Sequence, residues 1–315
     1  MNNEPFIFTE FFNCGSMIKP FLKSYLQYHN KLIHIICNDE DLTYAGDIIN
    51  NINVKVINVT NENGFSEAWS NGHAGTALCF ASVIKKWSDK KYIIHFDSDV
   101  IFKEECVNDI IKNLTNGCDI VGTPRAYKHN LSGVSGLENY QDTISTYAFG
   151  INKDKIPEYN FEYFVRMCGG WANPLNHRTL DFFDPVIFAT LSNGGVIKFL
   201  DIKDYGGMSN LGSKKNGYES NLNFDCGSKL IHFGGVGSGC AIFNKKSNPP
   251  KGYAEWASGR WSLYAKIFLN QDTDCNYITK YSEPNDHDGK RWCNGTYDSS
   301  ILEATYKDLN KRKNI

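Results

Sequence analysis

Short apolar runs alternate with helix-compatible stretches through most of the chain. Runs rich in Ile, Val and Phe end in polar clusters, which is typical of strands covered on both faces of a parallel sheet. The first three strands are predicted at 6–12, 32–37 and 54–59, with helices at 20–29 and 42–50. The alternation of strand and helix predicts an α/β fold with a mostly parallel central sheet flanked by helices.

The same alternation continues beyond the third strand. It predicts helices at 77–87, 104–114 and 186–191, the last opened by residues 181–185. It also predicts strands at 119–123, 145–152, 196–202 and 229–233. Beyond Pro249 and Pro250, aromatic residues recur at helical spacing and predict an amphipathic helix at 253–270, packed on the domain. We therefore expect one domain at 1–248, followed by a C-terminal helical extension at 249–315.

The chain is organised around residues 91–102, where an apolar run leads into Asp97, Ser98 and Asp99. Ligands of open α/β sheets bind at the carboxyl ends of the strands. Residues two apart share a face of a strand, so both carboxylates can grip one ligand. Two adjacent carboxylates repel each other unless a cation lies between them, and Mn²⁺ or Mg²⁺ suits such oxygen ligands. The pattern predicts a metal site; a solvated turn after a strand is the simpler alternative.

A second polar segment precedes the predicted helix at 77–87 and contains Asn71, Gly72, His73 and Gly75. Small residues at a helix N-terminus let a phosphate approach the backbone amides, and the helix dipole favours negative charge there. Close packing of this segment against the sheet is the alternative.

Composition narrows the classes of function. The net charge of −2 gives no electrostatic case for binding nucleic acid or an anionic membrane. No segment reaches the roughly 20 apolar residues that span a bilayer, and the start lacks the basic region of a signal peptide. The ten cysteines form no CxxC pair, and several lie in apolar runs. We therefore expect buried, reduced thiols and a cytoplasmic protein.

An α/β start, a phosphate-compatible helix start and an Asp-x-Asp at a strand end together resemble the GT-A glycosyltransferases, which have a Rossmann-like fold. The resemblance covers roughly residues 5–243 and rests on order and spacing more than on identity. It implies a transferase that moves a sugar from a nucleoside-diphosphate sugar, most of all a UDP-sugar, to a hydroxyl of a glycan or another acceptor. It also implies a nucleotide-sugar-binding half at 1–125 and an acceptor-binding half at 126–248.

The resemblance assigns roles to individual residues. Asp99 would ligate Mn²⁺ or Mg²⁺ directly, while Asp97 would face the ribose or the water shell of the metal, with Ser98 beside the nucleotide sugar. His232, on a predicted short strand followed by glycines, would be a further metal ligand, although a histidine in an apolar strand can also be a hydrogen-bonded core residue. The remaining nucleotide-sugar contacts would come from Thr9 and Asn13 after the first strand, Asn38 and Asp39 after the second, and Asn71 and His73.

Catalysis by an inverting enzyme needs a carboxylate base for the acceptor hydroxyl. By the resemblance, this base is Asp184, at the start of a predicted helix, with Asp181 in reserve; either residue can instead be the helix N-cap. Retaining enzymes of the glycogenin type carry His-x-x-Gly-x-x-Lys-Pro-Trp. His232 and Gly235 match its first half and Ser238-Gly239-Cys240 departs from the second. The pattern favours inversion and leaves retention open.

Three other functions are compatible with the pattern. A haloacid-dehalogenase-like phosphatase also uses Asp-x-Asp after an apolar strand, but normally on its first strand. A nucleotidyltransferase shares the sheet but should carry a Gly-rich basic loop after the first strand, which residues 13–19 match poorly. An inactive carbohydrate-binding scaffold is the non-enzymatic alternative. The sequence does not specify the donor base, the sugar, the acceptor or the oligomeric state.

Overall fold

The chain forms one large sheet with a smaller sheet beside it. The structure, a computed structural model, describes residues 4–62, 83–84, 86–124, 144–155, 194–206 and 224–237, and the positions 183, 187, 190–191, 240, 261, 264–265 and 268–269. Its strands are β1 (Phe6–Phe11), β2 (Ile33–Cys37), β3 (Val54–Asn58), β4 (Tyr92–Phe96), β5 (Val100–Phe102), β6 (Ile120–Pro124), β7 (Ile144–Asn152), β8 (Ile197–Phe199), β9 (Phe224–Cys226) and β10 (Leu230–Phe233).

The large sheet has the order β3-β2-β1-β4-β7-β6-β8. Its strands run parallel except for β7, which is antiparallel to both β4 and β6. This confirms the predicted fold class, a mostly parallel α/β sheet flanked by helices. The chain builds outward from β1 to β3 and then returns to place β4 on the other side of β1. The carboxyl ends of β1 and β4 therefore meet at a reversal of strand order.

The smaller sheet has the order β5-β10-β9, with antiparallel pairing throughout. In its register, His232 lies opposite Val100, the first residue after the two aspartates. A strand far along the chain is thus fixed next to the Asp-x-Asp segment by backbone hydrogen bonds.

Two of the four α-helices whose bounds the structure describes, at Ile18–Tyr28 and Val107–Thr115, lie within three residues of the predicted positions. The four helices are α1 (Ile18–Tyr28), α2 (Asp39–Leu42), α3 (Val107–Thr115) and α4 (Ile202–Tyr205), with 3-10 turns at Gly15–Met17, Gly46–Asn50 and Lys153–Lys155. The helix predicted at 42–50 is wrong as one element, because Gly46 adopts φ +60° and separates α2 from a 3-10 turn. The strand predicted at 196–202 is too long, since the Asp201 side chain accepts the Lys203 N–H at 2.9 Å and begins α4.

Side chains of the central strands alternate between two apolar layers. Ile7 and Phe11 of β1 join the layer that packs against α1 and α3, while Phe6 and Phe8 join the opposite layer. Trp261 and Tyr264, from the predicted C-terminal aromatic helix, are buried in the first layer. The predicted helical extension at 249–315, its packing on the domain and the boundary at residue 248 stay predictions.

Five of the described cysteines have free thiols, and their reduced state in the cell stays a prediction. Cys14, Cys37, Cys106 and Cys240 are buried and Cys118 is half-buried. Within the described part of the chain, no helix is both long enough and apolar enough to cross a membrane.

Candidate active site

Asp97 and Asp99 lie where the chain leaves the central sheet. The Asp97 N–H donates to the Tyr147 carbonyl at 2.9 Å, continuing the pairing of β4 with β7 by one residue. The Val100 N–H then donates to the Asp97 carbonyl at 3.2 Å and closes a tight turn. The next residues form β5 in the small sheet. This turn places both carboxylates at the carboxyl end of β4, as the sequence predicts.

β10 brings His232 to the two aspartates. The Phe233 N–H donates to the Asp99 carbonyl at 2.9 Å, which fixes the height of the strand. His232 Nε2 lies 3.3 Å from Asp99 Oδ1 and 3.6 Å from Asp97 Oδ2. One ligand atom from each residue falls within 4.8 Å of the others. A cation held at about 2.1 Å needs adjacent ligand atoms about 3 Å apart, so small adjustments suffice for these three to share an ion.

The environment of Asp99 fits a cation. Its side chain is 8% exposed, and Oδ2 accepts the Val236 N–H at 3.2 Å. Oδ1 is buried and accepts no hydrogen bond from any residue that the structure describes. A buried acceptor left without a partner costs about 1–3 kcal/mol, and more for a charged group. An ion between Asp97, Asp99 and His232 would remove this cost, so the residues present suit Mn²⁺ or Mg²⁺.

Further side chains hold the candidate ligands in place. Tyr147 stacks on the His232 imidazole with ring centres 4.2 Å apart and planes inclined by 15°. The Tyr147 hydroxyl donates to the Tyr205 carbonyl at 3.0 Å, which anchors the stacking ring. Nothing in the sequence pattern singled out Tyr147. Its role depends on the pairing of β7 with β4, two strands that are far apart in the sequence.

A buried pair lies behind Asp97. His95 Nε2 is 2.6 Å from Glu10 Oε2, and His95 Nδ1 is 3.8 Å from Asp97 Oδ1. Burial acts to lower the pKa of His95, but the contacts with Glu10 and Asp97 outweigh it and raise that pKa. Sequence reasoning missed this pair, although a charged residue inside the apolar run 6–12 was a signal for it.

The turn after β1 lies next to this cluster. Cys14 Sγ is 4.0 Å from the Oγ atom of Ser98, the residue between Asp97 and Asp99 in the sequence. Asp41 of α2 is buried and accepts hydrogen bonds from the backbone N–H groups of Asn13 and Gly15. The carboxyl ends of β1, β2 and β4 are thereby joined around one edge of the sheet.

The structure places the predicted nucleotide-contact residues as follows. Asn13 and Ser98 are half-exposed at the carboxyl ends of β1 and β4. Asn38 caps α2 by accepting the Asp41 N–H at 2.8 Å, and the exposed Asp39 accepts a hydrogen bond from Asn58.

Thr9 differs from the expectation that it follows the first strand. It lies inside β1 and is fully buried, because the strand continues to Phe11. Its contact with a nucleotide stays a prediction. Asn71, His73, Asp181 and Asp184 lie outside the described residues, and their assigned roles also stay predictions.

No protein-family model and no curated protein matches the chain. Among solved structures, it is similar to the bifunctional glycosyltransferase WbbM at 13% identity and a TM-score of 0.46, over 65% of this chain and 40% of WbbM. It is also similar to mouse xyloside xylosyltransferase 1, at 12% identity and 0.43, over 64% of this chain and 86% of that one. A third similar structure is 4-diphosphocytidyl-2C-methyl-D-erythritol synthase from Anaerococcus prevotii. It has 12% identity and a TM-score of 0.39, over 62% of this chain and 88% of the synthase. Glycosyltransferases are thus among the structures that this chain is similar to, and similarity this distant identifies no activity.

Proposed function

We propose that the protein is a metal-dependent glycosyltransferase that uses a nucleoside-diphosphate sugar. The observation that carries the proposal is the cluster of Asp97, Asp99 and His232, in which the buried Asp99 Oδ1 accepts no hydrogen bond from the described residues. The cluster lies at the carboxyl end of β4, beside β1, where the order of strands reverses. In open α/β sheets this crevice is where ligands bind.

The chemistry suits a donor of this class. Departure of a nucleoside diphosphate leaves negative charge on its phosphates, and a bound divalent cation neutralises that charge as a Lewis acid. Asp97, Asp99 and His232 would hold the ion. Asn13 and the Asn38–Asp39 pair, at the ends of β1 and β2, would border the nucleoside. We propose Mn²⁺ or Mg²⁺ as the ion and a UDP-sugar as the first donor to test.

The acceptor side rests on the sequence resemblance. We propose a hydroxyl of a glycan as the acceptor, transfer of a hexosyl or pentosyl group, and inversion at the sugar carbon. Asp184 would take the proton of the acceptor hydroxyl, with Asp181 as the second candidate. A cytoplasmic location, expected from the sequence, likewise stays a prediction.

A thermal-shift series with UDP-, GDP-, dTDP- and CMP-sugars, with and without Mn²⁺, tests the proposal. The variants are Asp99→Ala and, as a matched control, Asp154→Ala, whose carboxylate is exposed and 3.9 Å from Lys91. A ligand that binds only the folded state adds about 2.7 kcal/mol of stability at a hundred times its Kd. We expect one nucleotide family to raise the midpoint only with Mn²⁺, in wild type and Asp154→Ala but not in Asp99→Ala.

Other outcomes favour the alternatives. Protection by phosphate analogues without any nucleotide effect would support a phosphatase instead. Protection by nucleoside triphosphates in preference to diphosphate sugars would support a nucleotidyltransferase. No shift with any of these ligands, in a protein that is folded, would leave a non-enzymatic scaffold as the better reading.

A further inference from the structure

The turn that follows β1 is held by a carboxylate from α2, the short helix that follows β2. Asp41 is only 3% exposed. Its Oδ2 accepts the Asn13 N–H at 2.9 Å, and its Oδ1 accepts the Gly15 N–H at 2.7 Å. Both oxygens of one carboxylate are thus used on the backbone of one short turn. Hydrogen bonds to an ionised acceptor are roughly twice as strong as those between neutral groups, so an ionised Asp41 would hold this turn firmly.

The clamped conformation is one that few sequences adopt unaided. Asn13 has φ +57°, in the left-handed region that residues other than glycine rarely occupy, although asparagine enters it more readily than most. A Cβ atom at Gly15 would lie 2.3 Å from the Asp41 carbonyl oxygen, so only glycine allows this close approach. A strained turn persists only when its surroundings fix it. Asp41 supplies that constraint from α2, the helix that follows the neighbouring strand β2.

The clamped turn adjoins the candidate metal cluster. Cys14, between the two clamped residues, places its Sγ 4.0 Å from Ser98 Oγ. On the other side, Ser16 Oγ is 3.5 Å from Cys240 Sγ, shortly after β10. The turn therefore lies beside the carboxyl ends of β1 and β4, and would form one wall of the crevice in which open α/β sheets bind ligands. A group that changed the shape of this wall would change the crevice without touching the metal ligands.

We propose that Asp41 is a positioning residue for the donor: it holds residues 13–16 in the conformation that receives the nucleoside. The assignment rests on the function proposed above and adds a residue that acts through the turn. Asp41 is buried with both oxygens engaged, so it supports the wall and leaves nucleoside contacts to the turn itself. If the turn is competent only a tenth of the time, the apparent affinity for the nucleoside falls tenfold. Binding of the metal, which Asp97, Asp99 and His232 would hold, and of diphosphate through that metal stays unchanged.

Asp41→Asn is the direct test, because the amide turns one acceptor into a donor that faces a backbone N–H. The matched control is Asp119→Asn. Asp119 is also buried, and it accepts the Val196 N–H at 2.9 Å and the Asn152 side-chain amide at 3.4 Å. It directly precedes β6 and so lies at the amino end of that strand, away from the candidate site. Gly15→Ala perturbs the same turn from its other side. Calorimetry measures the Kd of UDP, GDP, dTDP and CMP, and of inorganic diphosphate, each with Mn²⁺.

We expect Asp41→Asn to raise the Kd of the nucleotide that wild type prefers by tenfold or more. The Kd of diphosphate should change by less than twofold. Gly15→Ala should reproduce this split, and Asp119→Asn should change neither Kd by more than twofold, whatever its effect on the melting temperature. Equal weakening of nucleotide and diphosphate, or an unchanged nucleotide Kd, would overturn the role of Asp41 while the proposed function stands. Absence of nucleotide binding by the wild type would overturn the proposed function, and this assignment with it.

Discussion

Replacing Asp99 with Asn distinguishes a metal ligand from a structural carboxylate, because the two roles predict opposite changes in stability. In the metal-free protein, Asp99 Oδ1 is buried without a hydrogen bond from the described residues, at a cost of about 1–3 kcal/mol. Asn keeps an oxygen for the Val236 N–H but loses the charge-assisted part of that bond, about 1 kcal/mol. We expect metal-free Asp99→Asn to be as stable as wild type or more stable by up to about 2 kcal/mol.

Differential scanning fluorimetry with and without Mn²⁺ measures both parts of this prediction. Each kcal/mol corresponds to about 2–4 °C in a domain of this size. Mn²⁺ at a hundred times its Kd should stabilise the wild type by about 2.7 kcal/mol and leave Asp99→Asn unchanged. In the control Asp119→Asn, the amide keeps an oxygen for the Val196 N–H but turns a donor toward the Asn152 side-chain amide, so we expect a loss of about 1–2 kcal/mol. If Asp99→Asn lost as much as this control, or kept the Mn²⁺ shift, the metal-ligand role would be refuted.

Two further predictions concern the surroundings of the site and the core. Tyr147→Leu should weaken Mn²⁺ binding roughly tenfold by releasing the His232 ring, whereas Tyr147→Phe keeps the stacked ring. Electron paramagnetic resonance of free Mn²⁺ measures the Mn²⁺ affinity of both variants. Equal losses of affinity in the two variants would contradict the role of stacking. Burial lowers the pKa of His29 to about 4, so the unfolded state binds a proton that the folded state does not between pH 6.5 and pH 4. The wild type should therefore lose up to about 3 kcal/mol as the pH falls through this window. Urea unfolding at both pH values should show a smaller loss for His29→Gln; an equal loss would assign the effect to other groups.

The sheet could be predicted because its signal is local. Apolar runs ending in polar clusters located β1, β2, β3, β4 and β10 to within a residue or two. The direction of β7 could not be predicted, since an apolar run reads the same in parallel and antiparallel pairings. The break of the helix predicted at 42–50 depends on the backbone conformation of Gly46, which the helical pattern around it does not reveal.

The site could be predicted only as far as its residues carry an unusual chemistry in sequence. Asp97 and Asp99 stood out as adjacent carboxylates, and His232 as a histidine before a run of glycines. Asp41 did not stand out, and the partner of Glu10 could not be named, because their partners are backbone groups of the turn after β1 and a histidine on β4. Their roles follow from which strands are neighbours, and that information is distributed over the whole chain.

The two aspartates of the motif differ in environment, and this difference supports different roles for them. Asp99 is 8% exposed and 3.3 Å from His232, whereas the Asp97 side chain is 28% exposed and 3.6 Å away. A buried carboxylate has few means other than a cation to recover the solvation that it has lost. A half-exposed carboxylate can exchange water for ligand hydroxyls at little cost. The environment therefore favours Asp99 as the direct metal ligand, whereas Asp97 could contact both the ion and the ribose. Alternation along a strand cannot reveal this division of roles.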